Sequence, residues 1–395
     1  MLQFIQIWDD LLVGPLFPQN PQQRTITVGP AALPAGRTTG VLVFMTGSFI
    51  SGLPAVIVFL VFQRHLARLH PRDGHMSDQT DGPGPARPQE PPWEPAQPPP
   101  WEVVVEADAE LGERPVWDPG GSCLTWVDIK AGRVHRYTPG RGDDVVLELS
   151  ADGRPVPVGA AAHRGAGGYV LAAADGFRLT GPDGGSEAGP WRPPDMPDDV
   201  RFNDGACDPA GRFWAGTVAH DVTPGAGALY RLDPDGTITT VLEGVTESNG
   251  LCWSPDGTVL YFIDSGEPEP RVRAFDYQLE TGRIGWEPQD LIPFPAGKAV
   301  PDGLVVDAEG CLWVAIWGGG EVRRYAPTGD LLATFPVPVS QPTCPAFGGP
   351  DLADLYLTTA WQGLDSQQRA AEPLAGHVLR TRPGAEGVPA GVFAG

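Results

Sequence analysis

VWDPGGSCLTWVD, residues 116–128, returns three more times along the chain: ACDPAGRFWAGT from Ala206, CWSPDGTVLYFID from Cys252 and VVDAEGCLWVAIW from Val305. Each copy is an apolar residue, an Asp or Ser, a Pro or Ala, a variable residue and a Gly, then an aromatic-rich run. The first half is turn chemistry and the second half is strand chemistry. Two weaker copies, HRGAGGYVLAAAD from His163 and FGGPDLADLYLTTA from Phe347, fill the gaps, so that the starts fall near 117, 162, 207, 253, 306 and 347. A second phrase follows each copy, as in GRVHRYTPG, GALYRLDPDG and GGEVRRYAPTG, and supplies a third strand with room for a fourth. Four strands in roughly 40–50 residues, six times over, predict an all-β, six-bladed β-propeller. The recurring Trp and Tyr are expected to pack between blades, and Glu102–Glu106 (EVVVE) to close the ring by joining the last blade. A β-sandwich would house the strands but would not explain the repeat.

Composition agrees. Of 395 residues, 52 are Gly and 45 Pro, and 41% are hydrophobic, which suits a turn-rich body with a buried core. Heptads and a Gly at every third position are both lacking, which excludes a long coiled coil and a collagen. The 49 acidic and 27 basic side chains leave a net charge of −22. Nearly all of it, 42 acidic against 21 basic, falls in residues 101–395, and so acidic a surface makes nucleic acid a poor partner. Cys123, Cys207, Cys252, Cys311 and Cys344 show no metal-binding spacing and are expected as buried small hydrophobes in a reducing compartment.

The first hundred residues read differently. Gly40–Phe62 carries no charge over 23 residues, a helical length of roughly 34 Å that would cross a bilayer. Arg64, Arg68 and Arg72 follow, which by the positive-inside rule would leave the propeller on the cytoplasmic side. FIQIWDDLLVGPLF, RTITVGPAAL and SGLPAVIVFLVFQRHLAR resemble the C-terminal tail of sugar ABC-transporter permeases. Nine of the eighteen residues from Pro83 to Pro100 are Pro, a solvated spacer. The expected organisation is a permease-tail-like segment over 1–75 with a transmembrane helix at about 40–62, a Pro-rich linker over 76–100, and the propeller over 101–395. Met76 is read as the start of an independent protein, with residues 1–75 a fusion or gene-calling product. Any membrane contact would then run through 1–75 alone, and the protein is expected in the cytoplasm.

Candidate chemistry comes from phase. Five residues before the Asp or Ser of the four strong copies stand Glu113, Asn203, Asn249 and Asp302. Equivalent positions in different blades lie at one height around the axis, so these oxygen donors should converge at the channel. Two carboxylates and two amides brought together need a cation or hydrogen bonds, and an all-oxygen set suits a hard divalent ion. Each residue alone also reads as a turn cap, since Asn-Gly and Asp-Gly are turn formers. There is no GxSxG elbow, HExxH motif or P-loop, and Asp233-Pro-Asp235-Gly236 has its Gly too early for an EF-hand and reads as a turn.

LGERPVWD, RFNDGACDPAGRFWAGT, SNGLCWSPDG and PDGLVVDAEGCLWVA, in that order, resemble the senescence marker protein-30/gluconolactonase (regucalcin-like) family across residues 101–395. The resemblance implies that Glu113, Asn249 and Asp302 hold one divalent ion (Ca²⁺, Mn²⁺, Mg²⁺ or Zn²⁺). It further implies that Arg201, Asn203 and Asp221 bind substrate, and that Asp302 also positions or deprotonates the attacking water. The implied activity is a lactonase, hydrolysing a sugar-acid lactone in sugar catabolism, with a small-molecule substrate and no obligatory protein partner. The alternatives are a non-catalytic calcium-binding or regulatory propeller, and an interaction propeller without metal.

Overall fold

The structure, a computed structural model, describes residues 100–266 and 268–395. All of them belong to the second of two units into which the chain divides, Glu90–Gly395. The membrane span expected at 40–62, the permease-like stretch and nearly all of the Pro-rich linker lie outside the described residues. Among the described residues, no helix is long and apolar enough to cross a membrane.

Six antiparallel sheets follow one another along the chain. Their first strands are Gly112–Asp118, Val158–His163, Val200–Cys207, Ser248–Trp253, Val300–Val306 and Pro342–Gly348. Each of these touches the first strand of the sheets before and after it, and the sixth touches the first, so together they ring a common axis. The other strands of each blade run outward as a meander, making a six-bladed β-propeller. The sixth blade is assembled from both ends of the propeller sequence: its outermost strand is Glu102–Val105, which pairs Glu102 with Arg380 and Val103 with Leu379. The EVVVE run thus closes the ring.

The repeat motif is explained by two of its Asp residues. Asp208 Oδ1 accepts from the backbone of Ala210 and Arg212, capping the turn, while Oδ2 accepts from the Trp214 indole at 3.1 Å. Asp307 does the same for Glu309, Cys311 and Trp313. Gly211 and Gly310, at φ +83° and +80°, take the left-handed turn position that a side chain would strain. In these two copies one Asp ties the turn to the aromatic wedge between blades, whereas in the first copy the Trp126 indole donates to Asp143 Oδ1 instead. Trp126, Trp214 and Trp313 are wholly buried there. All five cysteines are free and buried.

The first strand of every blade also carries an irregularity at the same height. Register shifts fall between Glu113 and Val116, Val158 and Ala160, Phe202 and Asp204, Ser248 and Leu251, Pro301 and Leu304, and Pro342 and Pro345. A bulge bends the strand and re-aims a side chain. The Asn-Gly and Asp-Gly pairs read as turns are in fact these bulges, inside buried strands. Their glycines let neighbouring blades close on the axis: a Cβ on Gly250 would lie 2.7 Å from Leu304 N and 2.8 Å from Asp302 O.

Candidate functional site

Because side chains alternate along a strand, residues two apart share a face. The bulges turn that face toward the axis, and two tiers result. Glu113, Asn203, Asn249 and Asp302 form the inner tier; Leu111, Arg201, Glu247 and Val300, each two residues earlier, form the outer one. All eight line a single cavity of about 160 Å³, with Trp317 and Gln362 completing the wall. A larger space of about 580 Å³ lies along the other halves of the same strands, but its lining is mostly apolar, so the chemistry belongs to the smaller one.

A run of hydrogen bonds crosses three blades. Arg201 Nη1 donates to Asn203 Oδ1 at 2.8 Å, and Asn203 Nδ2 donates to Asn249 Oδ1 at 2.8 Å and to Ser248 O at 2.9 Å. Asn249 Nδ2 donates to Ser265 Oγ at 2.8 Å, and that hydroxyl donates to Pro301 O at 2.5 Å. With its amino group held by Ser265, Asn249 keeps its carbonyl oxygen on the side of Asn203 and the cavity. Glu113 Oε2 accepts from Arg114 N at 2.9 Å.

Glu113 and Asp302 are 5% and 6% exposed, and neither forms an ion pair among the described residues. Burial, and then the charge of Asp204, push Glu113 up to about 8. Burial raises Asp302 well above the usual carboxylate range, and Glu113, Glu247 and Asp204 push the same way. Such a pair is poorly accommodated as two bare anions. A divalent cation fits the donor set: two buried carboxylates and an amide carbonyl, all oxygen, with no sulfur or imidazole in the cavity wall. The one group of three acidic or thiol residues with ligand atoms within 4.8 Å of one another, among the described residues, is Asp307, Glu309 and Cys311. The Arg324 guanidinium already sits on Asp307 and Glu309, so that cluster is an ion-pair network of the blade turn.

The raised carboxyls set a pH dependence. A folded-state value above the unfolded one means that the protonated form stabilises the fold. That contribution is complete below the ordinary value of 4.5 and is lost as pH rises through about 8. With metal chelated, stability should therefore fall between pH 5 and pH 8, by up to ~1.4 kcal/mol per pH unit for each group. Added divalent ion should raise Tm more at pH 8 than at pH 5. Thermal melts with EDTA and with added Ca²⁺, Mg²⁺ or Mn²⁺ at both pH values check this.

A family model described as the SMP-30/gluconolactonase/LRE-like region matches residues 111–361, which span both tiers. The chain belongs to this family. Regucalcin of Danio rerio is 37% identical over 292 residues, covering 73% of this chain and 96% of the relative. The crystal structure of a calcium-binding protein, regucalcin, from Agrobacterium tumefaciens aligns with a TM-score of 0.69 at 30% identity, over 75% of this chain and 98% of that one. A luciferin-regenerating enzyme aligns at 0.66 with 29% identity, over 75% and 99%.

In this regucalcin-like chain Asp221, which the resemblance implies as a substrate residue, lies outside the cavity lining. It is exposed, and its carboxylate accepts from Thr223 N at 3.0 Å and Thr223 Oγ1 at 2.7 Å. An Asp two residues before a Thr satisfies itself locally in a turn, and the short loop does not carry it inward. Asp204, next to Asn203, is buried and paired with Arg114 at 3.5 Å. Glu247, Trp317 and Gln362 were missed. The signal for Glu247 was available in the two-residue step back from Asn249, the same step that separates Arg201 from Asn203.

Proposed function

We propose that the chain is a divalent-metal-dependent hydrolase of a sugar-acid lactone. The observation that carries this is the pairing, in one small cavity, of an all-oxygen floor (Glu113, Asn249, Asp302), with Asn203 beside it, and the Arg201 guanidinium in the outer tier. Membership of a family whose description includes gluconolactonase supports it. The relative described as a calcium-binding protein makes Ca²⁺ a natural ion to test first, beside Mn²⁺, Mg²⁺ and Zn²⁺.

Glu113, Asn249 and Asp302 would hold the ion, which when bound supplies a Lewis acid for the lactone carbonyl. Arg201 and Asn203 hold and orient the lactone, Arg201 with its fixed fork of donors. Asp302 orients the attacking water and takes its proton. Water oxygen bonds to the carbonyl carbon, the ring C–O bond breaks, and the proton passes to the departing ring oxygen, leaving an open-chain hydroxy acid. Leu111, Val300 and Trp317 present apolar wall to the C–H faces of the ring and limit the water around it. Free, buried cysteines suit a cytoplasmic site of action.

The test is hydrolysis of glucono-, xylono-, arabino- and galactono-lactones by the full chain, with and without EDTA. Activity lost on chelation and restored by one ion is the expected result, whereas hydrolysis indifferent to EDTA would overturn the metal-dependent reading. Metal-dependent stabilisation without hydrolysis of any lactone would favour the second reading, a calcium-binding propeller without catalysis.

A further inference from the structure

The outer tier is chemically lopsided. Blades one and five contribute Leu111 and Val300, while blades three and four contribute Arg201 and Glu247. Arg201 Nη1 is committed to Phe202 O at 3.0 Å and Asn203 Oδ1 at 2.8 Å, which fixes the guanidinium at the wall. Glu247 is held from behind: its backbone N–H donates to Asp264 Oδ1 at 2.8 Å and its carbonyl accepts from Ser265 N at 3.0 Å. Burial pushes the Glu247 carboxyl up and Asp264 adds to this, while the Arg201 guanidinium acts the other way. Glu247 lines the same cavity as Glu113, Asn249 and Asp302, one tier out from Asn249 and two residues before it in the chain.

A guanidinium only donates hydrogen bonds and a carboxylate only accepts them. A sugar hydroxyl does both. An Arg and a Glu side by side on one wall, facing apolar residues on the other, therefore match a vicinal diol on a ring whose opposite edge is C–H. We propose that Glu247 is the specificity-determining residue of this pocket, accepting a hydrogen bond from a substrate hydroxyl that Arg201 also contacts, and so selecting neutral polyhydroxylated lactones over lactones bearing a second carboxylate. A carboxylated substituent at this wall would face Glu247 directly. Glu247 would then take the substrate-contacting role that the resemblance implied for Asp221. This inference rests on the lactonase reading for its kinetic consequences, but the binding of a neutral polyol to the wall does not depend on catalysis.

The experiment uses the full chain and Glu247→Gln, which keeps shape and removes the charge, with Glu247→Leu as the second variant. Binding of 1,5-anhydroglucitol, a cyclic polyol with no ester to hydrolyse, is measured by calorimetry. Steady-state kinetics on glucono-1,5-lactone and glucaro-1,4-lactone, ion affinity and Tm are measured alongside. Hydrogen bonds to a charged acceptor of this kind are worth a factor of about ten or more. The expected result for Glu247→Gln is anhydroglucitol binding weakened about tenfold, with KM for gluconolactone raised about tenfold and kcat changed less than about threefold. The preference for gluconolactone over glucarolactone should fall by about tenfold, while ion affinity stays within about threefold. Unchanged polyol binding and unchanged preference in a folded variant would overturn the proposal. So would loss of the ion in step with loss of activity, which would make Glu247 a ligand. If the wild-type chain hydrolyses no lactone, the lactonase reading fails, and anhydroglucitol binding alone then decides the role of Glu247.

Discussion

Replacing Asp302 with Asn is expected to lower kcat/KM for the preferred lactone by about 10³-fold or more, and yet to make the chelated protein more stable. The two effects share one cause. Asp302 is buried against Glu113, with Glu247 and Asp204 adding to the field, and every one of these influences disfavours its charge. Removing that charge removes a repulsion that the folded chain carries and the unfolded chain does not. At pH 8 with EDTA, Asp302→Asn should therefore melt a few degrees above wild type. Added divalent ion should raise the melting temperature of wild type much more than that of the variant. An ordinary core substitution behaves the other way, losing stability under every condition. A variant that loses both activity and chelated-state stability would show Asp302 to be a packing residue. Melts and kinetics on the same preparation decide between the two.

Arg114→Met should have the largest effect on folding. Arg114 is 9% exposed and reaches across the channel from the first blade, with Nη1 3.5 Å from Asp204 in the third blade and Nη2 donating to Leu251 O in the fourth at 3.3 Å. Its backbone takes φ +42°, and its Nε finds no partner. Burial outweighs the Arg at Asp204, whose carboxyl stays above its ordinary value even with Arg114 beside it and Gly205 N donating to it at 2.7 Å. Take the Arg away and Asp204 is a buried charge without a counter-ion, a loss of ~3–5 kcal/mol for removing one partner of such a pair. In a domain of this size that lowers Tm on the order of 5–15 °C. Glu113 feels both Asp204 and Arg114, so the same change should drive its carboxyl still higher and weaken ion binding at neutral pH. Arg114→Met combined with Asp204→Asn should recover much of the stability, since the stranded charge is gone. A double variant no better than Arg114→Met would show that the Arg acts by filling space.

The blade count, the closing strand and the inner tier were legible because each rests on periodicity. Blades that cap a turn with Asp and wedge a Trp beneath it share a recognisable phrase, as at Asp208–Trp214 and Asp307–Trp313. The bulges were not legible. Asn-Gly and Asp-Gly carry turn chemistry, and only the close approach of inner strands, seen where a Cβ on Gly303 would meet Cys344, shows why the glycines are there. Glu247 escaped notice because a lone acidic residue beside Asn249 has no motif, and its significance comes from facing Arg201 across a blade boundary. Asp221 was placed by resemblance, and its loop satisfies that carboxylate before it can reach the channel.

The strand that seals the sixth blade has a consequence in time. Glu102 pairs with Arg380, 278 residues later in the chain. On a ribosome adding about 5–20 residues per second, Glu102–Val105 would wait roughly 15–55 s for its partner. Through that interval the nascent protein is an open arc with unpaired strand edges at both ends, the state in which β-structure most readily finds the wrong neighbour. The last blade is thus a timing device as well as a lock: no intermediate can close early, and the axial cavity, with its buried carboxylates, is completed only when nearly the whole chain has been made.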